Sequence, residues 1–128
     1  MSYGICYSFP AEILSGVHDF STDVFKMALY TSALSQSVTA YSATDEVSGA
    51  GYSAGGATVS FTIGTSANIT SISLADETMD TPEAAVSFLI YNSSKSNKAV
   101  FVAPLGDGVS GSGSLTATWN IPVFSITV

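Results

Sequence analysis

The chain's single histidine, His18, sits in Gly16-Val-His-Asp-Phe-Ser-Thr-Asp23, with Asp19 beside it and Asp23 a turn further on. An imidazole near carboxylates is the raw material of general acid–base chemistry, because a carboxylate fixes the ring's tautomer and stabilises its charged form. Neither a metal site nor a nucleophilic triad can be assembled around it. There is no second histidine, and the lone Cys6 adjoins Tyr7 without a partnering motif, whereas zinc sites and triads need several convergent groups. The expected role of His18 is therefore a satisfied loop histidine, hydrogen-bonded to a nearby carboxylate or backbone group. No catalytic, metal-binding or cofactor-binding residue is assigned, and the chain is expected not to be an enzyme.

Two other stretches invite chemical readings. In Asp76-Glu-Thr-Met-Asp-Thr-Pro-Glu83 four carboxylates crowd together, as in a glycosidase pair or a calcium loop, but the spacing does not fit an EF-hand and a solvated acidic loop is expected. In Val47-Ser-Gly-Ala-Gly-Tyr-Ser-Ala-Gly-Gly56 four glycines, Gly49, Gly51, Gly55 and Gly56, surround Tyr52. A phosphate cradle would need Gly-Lys-Ser/Thr or Gly-x-Gly-x-x-Gly after a strand, and this stretch holds neither. A tight bend with Tyr52 as a packed or partner-facing anchor is expected, and Tyr41 with the four glycines completes a candidate interface.

The composition narrows the partners. Charged residues make up 10% of the 128-residue chain, the net charge is −7, and there is no arginine; roughly 25% charge is usual for a soluble domain. Without a basic footprint, nucleic acid is not an expected partner. A surface of Ser, Thr, Gly and Ala suits contact with protein neighbours better than solitary life in solvent. A single cysteine excludes an intrachain disulfide. No signal-peptide pattern or membrane-span-length apolar run appears, so production in the cytoplasm and no membrane partner are expected.

The elements that must hold these residues read as strands. Phe25, Met27 and Leu29 alternate with Val24, Lys26, Ala28 and Tyr30, the period of a half-buried strand with one face inward. A short helix is expected over Phe9–Gly16, with Pro10 in its first turn and Gly16 past its end; before it, Tyr3, Ile5 and Tyr7 suit a short edge strand. Ser32–Ala57 reads as a long loop. Ala57–Ile63, with Val59, Phe61 and Ile63 inward, and Asn68–Ala75 read as a hairpin, and Val86–Tyr91 with Lys98–Ala103 as a stronger one. A loop over Pro104–Ser114, then strands at Leu115–Trp119 and Val123–Val128, complete about seven short strands. With no long helix to cover a sheet, the expected architecture over residues 1–128 is a single all-β domain, an antiparallel β-sandwich of jelly-roll or immunoglobulin-like type. Phe25, Met27, Leu29, Phe61, Ile90 and Trp119 are its expected core. The loops Ser42–Gly56 and Gly106–Gly113 bury too little by themselves to offset their ordering, and are expected to be held by neighbouring subunits.

Three blocks taken together carry a resemblance: Gly16-Val-His-Asp-Phe leading into Phe25-Lys-Met-Ala-Leu-Tyr-Thr-Ser32; Thr39-Ala-Tyr-Ser42 with Glu46-Val-Ser-Gly-Ala-Gly-Tyr-Ser-Ala-Gly-Gly56; and Ile90-Tyr-Asn-Ser-Ser-Lys-Ser-Asn-Lys-Ala-Val100. In this order they resemble small virion structural proteins of tailed bacteriophages, up to about Val102. The chain departs from that pattern at Phe88-Leu89 and at Pro104-Leu-Gly. The resemblance implies a capsid decoration, or cement, protein located in the virion, forming a homo-oligomer, most simply a trimer, on the major capsid protein or other virion proteins. A tail or head–tail junction component is the alternative it leaves open. A reading from a different class is a carbohydrate-binding β-sandwich, with Trp119, Tyr52 or Tyr91 stacking on sugar rings.

Overall fold

A computed structural model of the chain describes residues 4–74, 77–81, 84–109, 113–117 and 124–127. The fold is all-β and antiparallel, with one short helix. In chain order the elements are β1 (Gly4–Ile5), α1 (Phe9–Leu14), β2 (Phe25–Tyr30), β3 (Ala57–Val59), β4 (Phe61–Ser66), β5 (Ile69–Leu74), β6 (Glu77–Thr81), β7 (Ala85–Asn92), β8 (Lys98–Val109), β9 (Gly113–Ala117) and β10 (Phe124–Thr127). They form a five-stranded sheet in the order β1-β8-β7-β2-β3, a three-stranded sheet β10-β5-β4, and a two-stranded ribbon of β6 and β9.

The five-stranded sheet is the core. β2 pairs with β7 along its whole length, Phe25 opposite Asn92 and Tyr30 opposite Ser87. Phe25, Met27 and Leu29 pack with Phe88, Ile90 and Val100 against Phe9 and Ile13 of α1, together with Phe20, Val47 and Phe61. The expectation that only this face would be inward is corrected: Ala28 and Tyr30 are equally buried, in a second cluster with Cys6, Leu89, Tyr91 and Val102. The irregular segment after β2 lies over that face through Leu34, Val38 and Tyr41. A central strand covered on both sides reads as a near-continuous apolar run, and Phe25-Lys-Met-Ala-Leu-Tyr30 is such a run apart from Lys26.

Helix α1 is short, as its punctuation implies, with Pro10 in the first turn and Gly16 just beyond at φ 76°. It nonetheless covers sheet surface through the fully buried Phe9, although the expected architecture assigned no such role to a helix. The expected hairpin at Ala57–Ala75 splits at Ser60: β3 pairs with β2, while β4 turns through Ala67-Asn68 into β5 in the other sheet. Alternation therefore does not carry one buried face across the break. Val59 is buried, Phe61 is half-buried against the core, and Ile63, expected inward, is 51% exposed.

Two further expectations are corrected. Glu77–Thr81, within the expected acidic loop, is a strand whose register sets Glu77 opposite Ala117; a ladder forms through backbone groups and requires no apolar alternation. The expected loop from Pro104 begins as a continuation of β8 to Val109, with Pro104 opposite Ser87 beside a register shift, the type of position where a sheet tolerates a missing N–H. Trp119, expected in the core, lies outside the described residues.

Candidate functional site

His18 lies at the centre of a buried polar relay. Helix α1 supplies Glu12, the loop before β2 supplies His18 and Asp23, and the end of β7 supplies Asn92. His18 Nε2 is 2.9 Å from Glu12 Oε1, and its Nδ1 is 3.0 Å from Asn92 Nδ2. Asn92 Oδ1 accepts the Ser94 N–H at 3.0 Å and its Nδ2 also donates to Asp23 Oδ2 at 2.7 Å. This pattern orients the amide, so Asn92 donates to His18 Nδ1 and the ring proton sits on Nε2, donating to Glu12. Lys95 Nζ meets both Asp23 oxygens at 3.0 Å, and Lys98 Nζ lies 3.7 Å from Glu12 Oε2. The Asp23 carboxyl is held down at about 2, chiefly by the Asn92 hydrogen bond, then by the Asp19 N–H and Lys95.

The relay spends its hydrogen-bonding groups on itself. The His18 ring is sandwiched among Phe9, Phe20 and Phe25 at centroid distances of 5.0 to 6.4 Å. As expected it is a satisfied histidine bound to a carboxylate, although the carboxylate is Glu12 and not its sequence neighbour Asp19 or Asp23. Among the described residues no three His, Cys, Asp or Glu side chains converge as metal ligands. Cys6 is buried, and burial first, then the Glu12 charge, raise its thiol to about 12, far from a reactive thiolate.

The second constellation surrounds Glu46. Its Oε1 accepts the Tyr41 hydroxyl at 2.6 Å; its Oε2 accepts the Tyr52 hydroxyl at 2.7 Å and the Gly55 N–H at 2.8 Å. Tyr52 Oη also accepts the Leu29 N–H of β2 at 2.9 Å. Tyr91 donates to the Gly55 carbonyl at 2.6 Å and stacks on Tyr41 with centroids 4.8 Å apart. Burial above all, with the Glu46 charge adding to it, raises the hydroxyls of Tyr41, Tyr52 and Tyr91, so all three remain protonated donors at neutral pH.

Most of the candidate interface residues are engaged within the chain. Tyr52 and Tyr41 are half-buried and engaged within the chain, and Gly55 is buried. Gly56, at φ 81°, brings its backbone so close to β2 that a Cβ there would lie 1.9 Å from the Met27 carbonyl oxygen. Only Gly49 and Gly51 of the candidate set are exposed. Residues 42–56 are fastened to β2 by contacts within the chain, including Val47 N–H to Leu29 O and Thr31 N–H to Asp45 O, in addition to any hold that neighbouring subunits were expected to supply. Glu46 was not singled out from sequence; an acid entering a stretch that holds Tyr52 and four glycines was the available signal.

The exposed counterpart is the three-stranded sheet. β4 and β5 pair from Phe61–Leu74 to Ser66–Ile69, and Ile63 and Ile69 stand 51% and 42% exposed. On the face that carries Ile63 and Ile72, an open hollow of about 460 Å³ lies between the sheet and the α1 side of the core, also lined by Ile13, Phe20 and Thr70. None of β4, β5 and β10 contains a charged residue.

Compared with known protein families, curated proteins and solved structures, the chain matches none.

Proposed function

We propose that this chain is a structural protein of a tailed-phage virion, acting as a capsid decoration protein through protein–protein contacts. The observation that carries the reading is the three-stranded sheet whose strands contain no charged residue, an uncharged surface that suits contact with a protein neighbour better than solitary life in solvent. The three sequence blocks that resemble virion proteins also meet in space: Gly56 lies on Met27, Tyr91 on Gly55, and Asn92 on His18. They build one frame around β2, which supports reading them as a common scaffold. In this role the His18 and Glu46 webs stiffen the scaffold that presents the sheet.

Electron cryo-microscopy of intact particles tests the proposal. Density for this fold on the outer capsid surface is expected; density confined to the tail or the head–tail junction would favour the alternative placement, and absence from the particle would refute both. The carbohydrate-binding reading draws no support from Tyr52 and Tyr91, whose hydroxyls are spent on Glu46 and Gly55. Absence of binding on a glycan array is the expected outcome.

A further inference from the structure

We propose that β4 is a self-pairing strand: two copies of this chain join through antiparallel addition of β4 to β4, continuing the three-stranded sheet across a two-fold axis at Ile63. The inference stands apart from the virion reading and requires only the geometry of this sheet.

β4 is the terminal strand of its sheet, bonded to β5 on one side. Among the described residues no backbone group pairs with it on the other side. Such an edge is a template for strand addition, and proteins that remain monomeric normally block it with lysine, proline, a bulge or a covering element. Phe61-Thr-Ile-Gly-Thr-Ser66 has no charge and no proline, and its ladder to β5 runs through all six positions without a shift. The contrast within this molecule is informative. The edge of β2 beyond β3, at Leu29–Thr31, is closed by the Tyr52 hydroxyl, Val47 and Asp45, whereas β4 has no comparable cover among the described residues.

Charge selects a second copy as the occupant. Each chain carries a net charge of −7, so two copies repel wherever acidic surfaces meet, and like charges across a strand pair are destabilising. The three-stranded sheet is free of charge throughout, which lets two such chains approach there without bringing acids together. A cationic partner would instead gain most at the acidic surfaces and nothing from this strand. The register follows from the exposed apolar side chain: setting Ile63 opposite Ile63 of the second copy places Thr62 opposite Gly64 and Phe61 opposite Thr65. Both isoleucines then leave water together at the mouths of the two hollows.

The test is sedimentation velocity of the full chain over a wide concentration range. A concentration-dependent dimer is expected, with Ile63→Lys weakening it at least about tenfold by setting two like charges opposite each other on the axis, Thr65→Lys weakening it at least about tenfold by setting an edge lysine against Phe61 of the second copy, and Ser73→Lys on the neighbouring strand leaving it within about twofold. Circular dichroism of each variant confirms folding, and with all three lysine positions already exposed native spectra are expected. In parallel, Ile63→Cys should cross-link on mild oxidation to a reductant-sensitive dimer while Ile69→Cys does not; native Cys6 is fully buried and silent. A monomer at all concentrations, a dimer indifferent to both lysines, or equal cross-linking from Ile69→Cys would overturn the proposal.

Discussion

Asn92 uses one amide nitrogen to hold two groups remote in sequence, donating to His18 Nδ1 at 3.0 Å and to Asp23 Oδ2 at 2.7 Å. It sits fully buried at the end of β7, opposite Phe25, and ties the loop before β2 to the sheet. Replacing it with Ala leaves His18 Nδ1 without its donor in the interior. A loss of about 3 kcal/mol is expected, the desolvation cost of an orphaned buried group plus a lost hydrogen bond to a charged one. A urea titration of Asn92→Ala against the parent measures it.

The same web gives stability an acid limb. The Asp23 carboxyl is depressed to about 2 when folded, against an ordinary value near 3.9, so folding favours its ionised form. The contribution is fully present above about pH 4 and is lost as pH falls from there toward 2. The Asp19 carboxyl is lowered as well, first by the Ser21 hydroxyl and then by its N–H, and acts in the same direction. Asp23→Asn should therefore be less stable than the parent at pH 7, with a shallower fall between about pH 4 and 2 in denaturation series run at each pH.

Glu46 holds the segment after β2 in place. In Glu46→Gln the two tyrosine donors and the Gly55 N–H compete for one oxygen, while an amide NH₂ faces hydroxyls that were donating. A loss of about 2–4 kcal/mol is expected from weakened charge-assisted bonds. Hydrogen exchange should rise across residues 42–56 and at the Leu29 amide, whereas β5 should be unchanged. Equal exchange in parent and variant would show that the ties of Asp45, Val47 and Gly55 to β2 and β7 hold the segment without Glu46.

Gly56→Ala should be among the most damaging single changes in the chain, because the added methyl would overlap the Met27 carbonyl at 1.9 Å and force β2 and the bend apart. A cost above about 4 kcal/mol is expected. Gly16→Ala makes the comparison: its φ is 76° but nothing lies within 4 Å of the new methyl, so only backbone strain of about 1–2 kcal/mol is expected. Thermal unfolding of both variants separates steric overlap from strain.

Cys6 should resist alkylation. Burial raises its thiol to about 12, leaving almost no thiolate at neutral pH. Iodoacetamide should label the native protein at least about a hundredfold more slowly than protein in denaturant.

The strands and their polarity were legible because alternation at Phe25–Leu29 and the dense β-formers around Asn92-Ser-Ser-Lys-Ser-Asn97 are local signals. The double burial of β2 was not, since Ala28 and Tyr30 suit a solvent face as well as a second core, and only the segment laid over them decides. The break at Ser60 was likewise hidden: period two continues through Val59, Phe61 and Ile63 although the partner strand changes from β2 to β5. The satisfied state of His18 follows from its acidic neighbourhood in the sequence, but its partners Glu12 and Asn92 come from a helix and a strand that local sequence cannot bring together.

The strand order β1-β8-β7-β2-β3 dictates when the protein can fold. Gly4 finds its neighbour in Val102, and β2 finds its full-length partner only in Ser87–Asn92. During synthesis the amino-terminal half therefore emerges from the ribosome with its central strand unpaired on the β7 side, and the sheet closes only after the β7–β8 hairpin has been made. Loop closure over such separations is slow. The apolar side chains of β2 lack their sheet partner until then, so the interval before β8 emerges exposes the chain to aggregation.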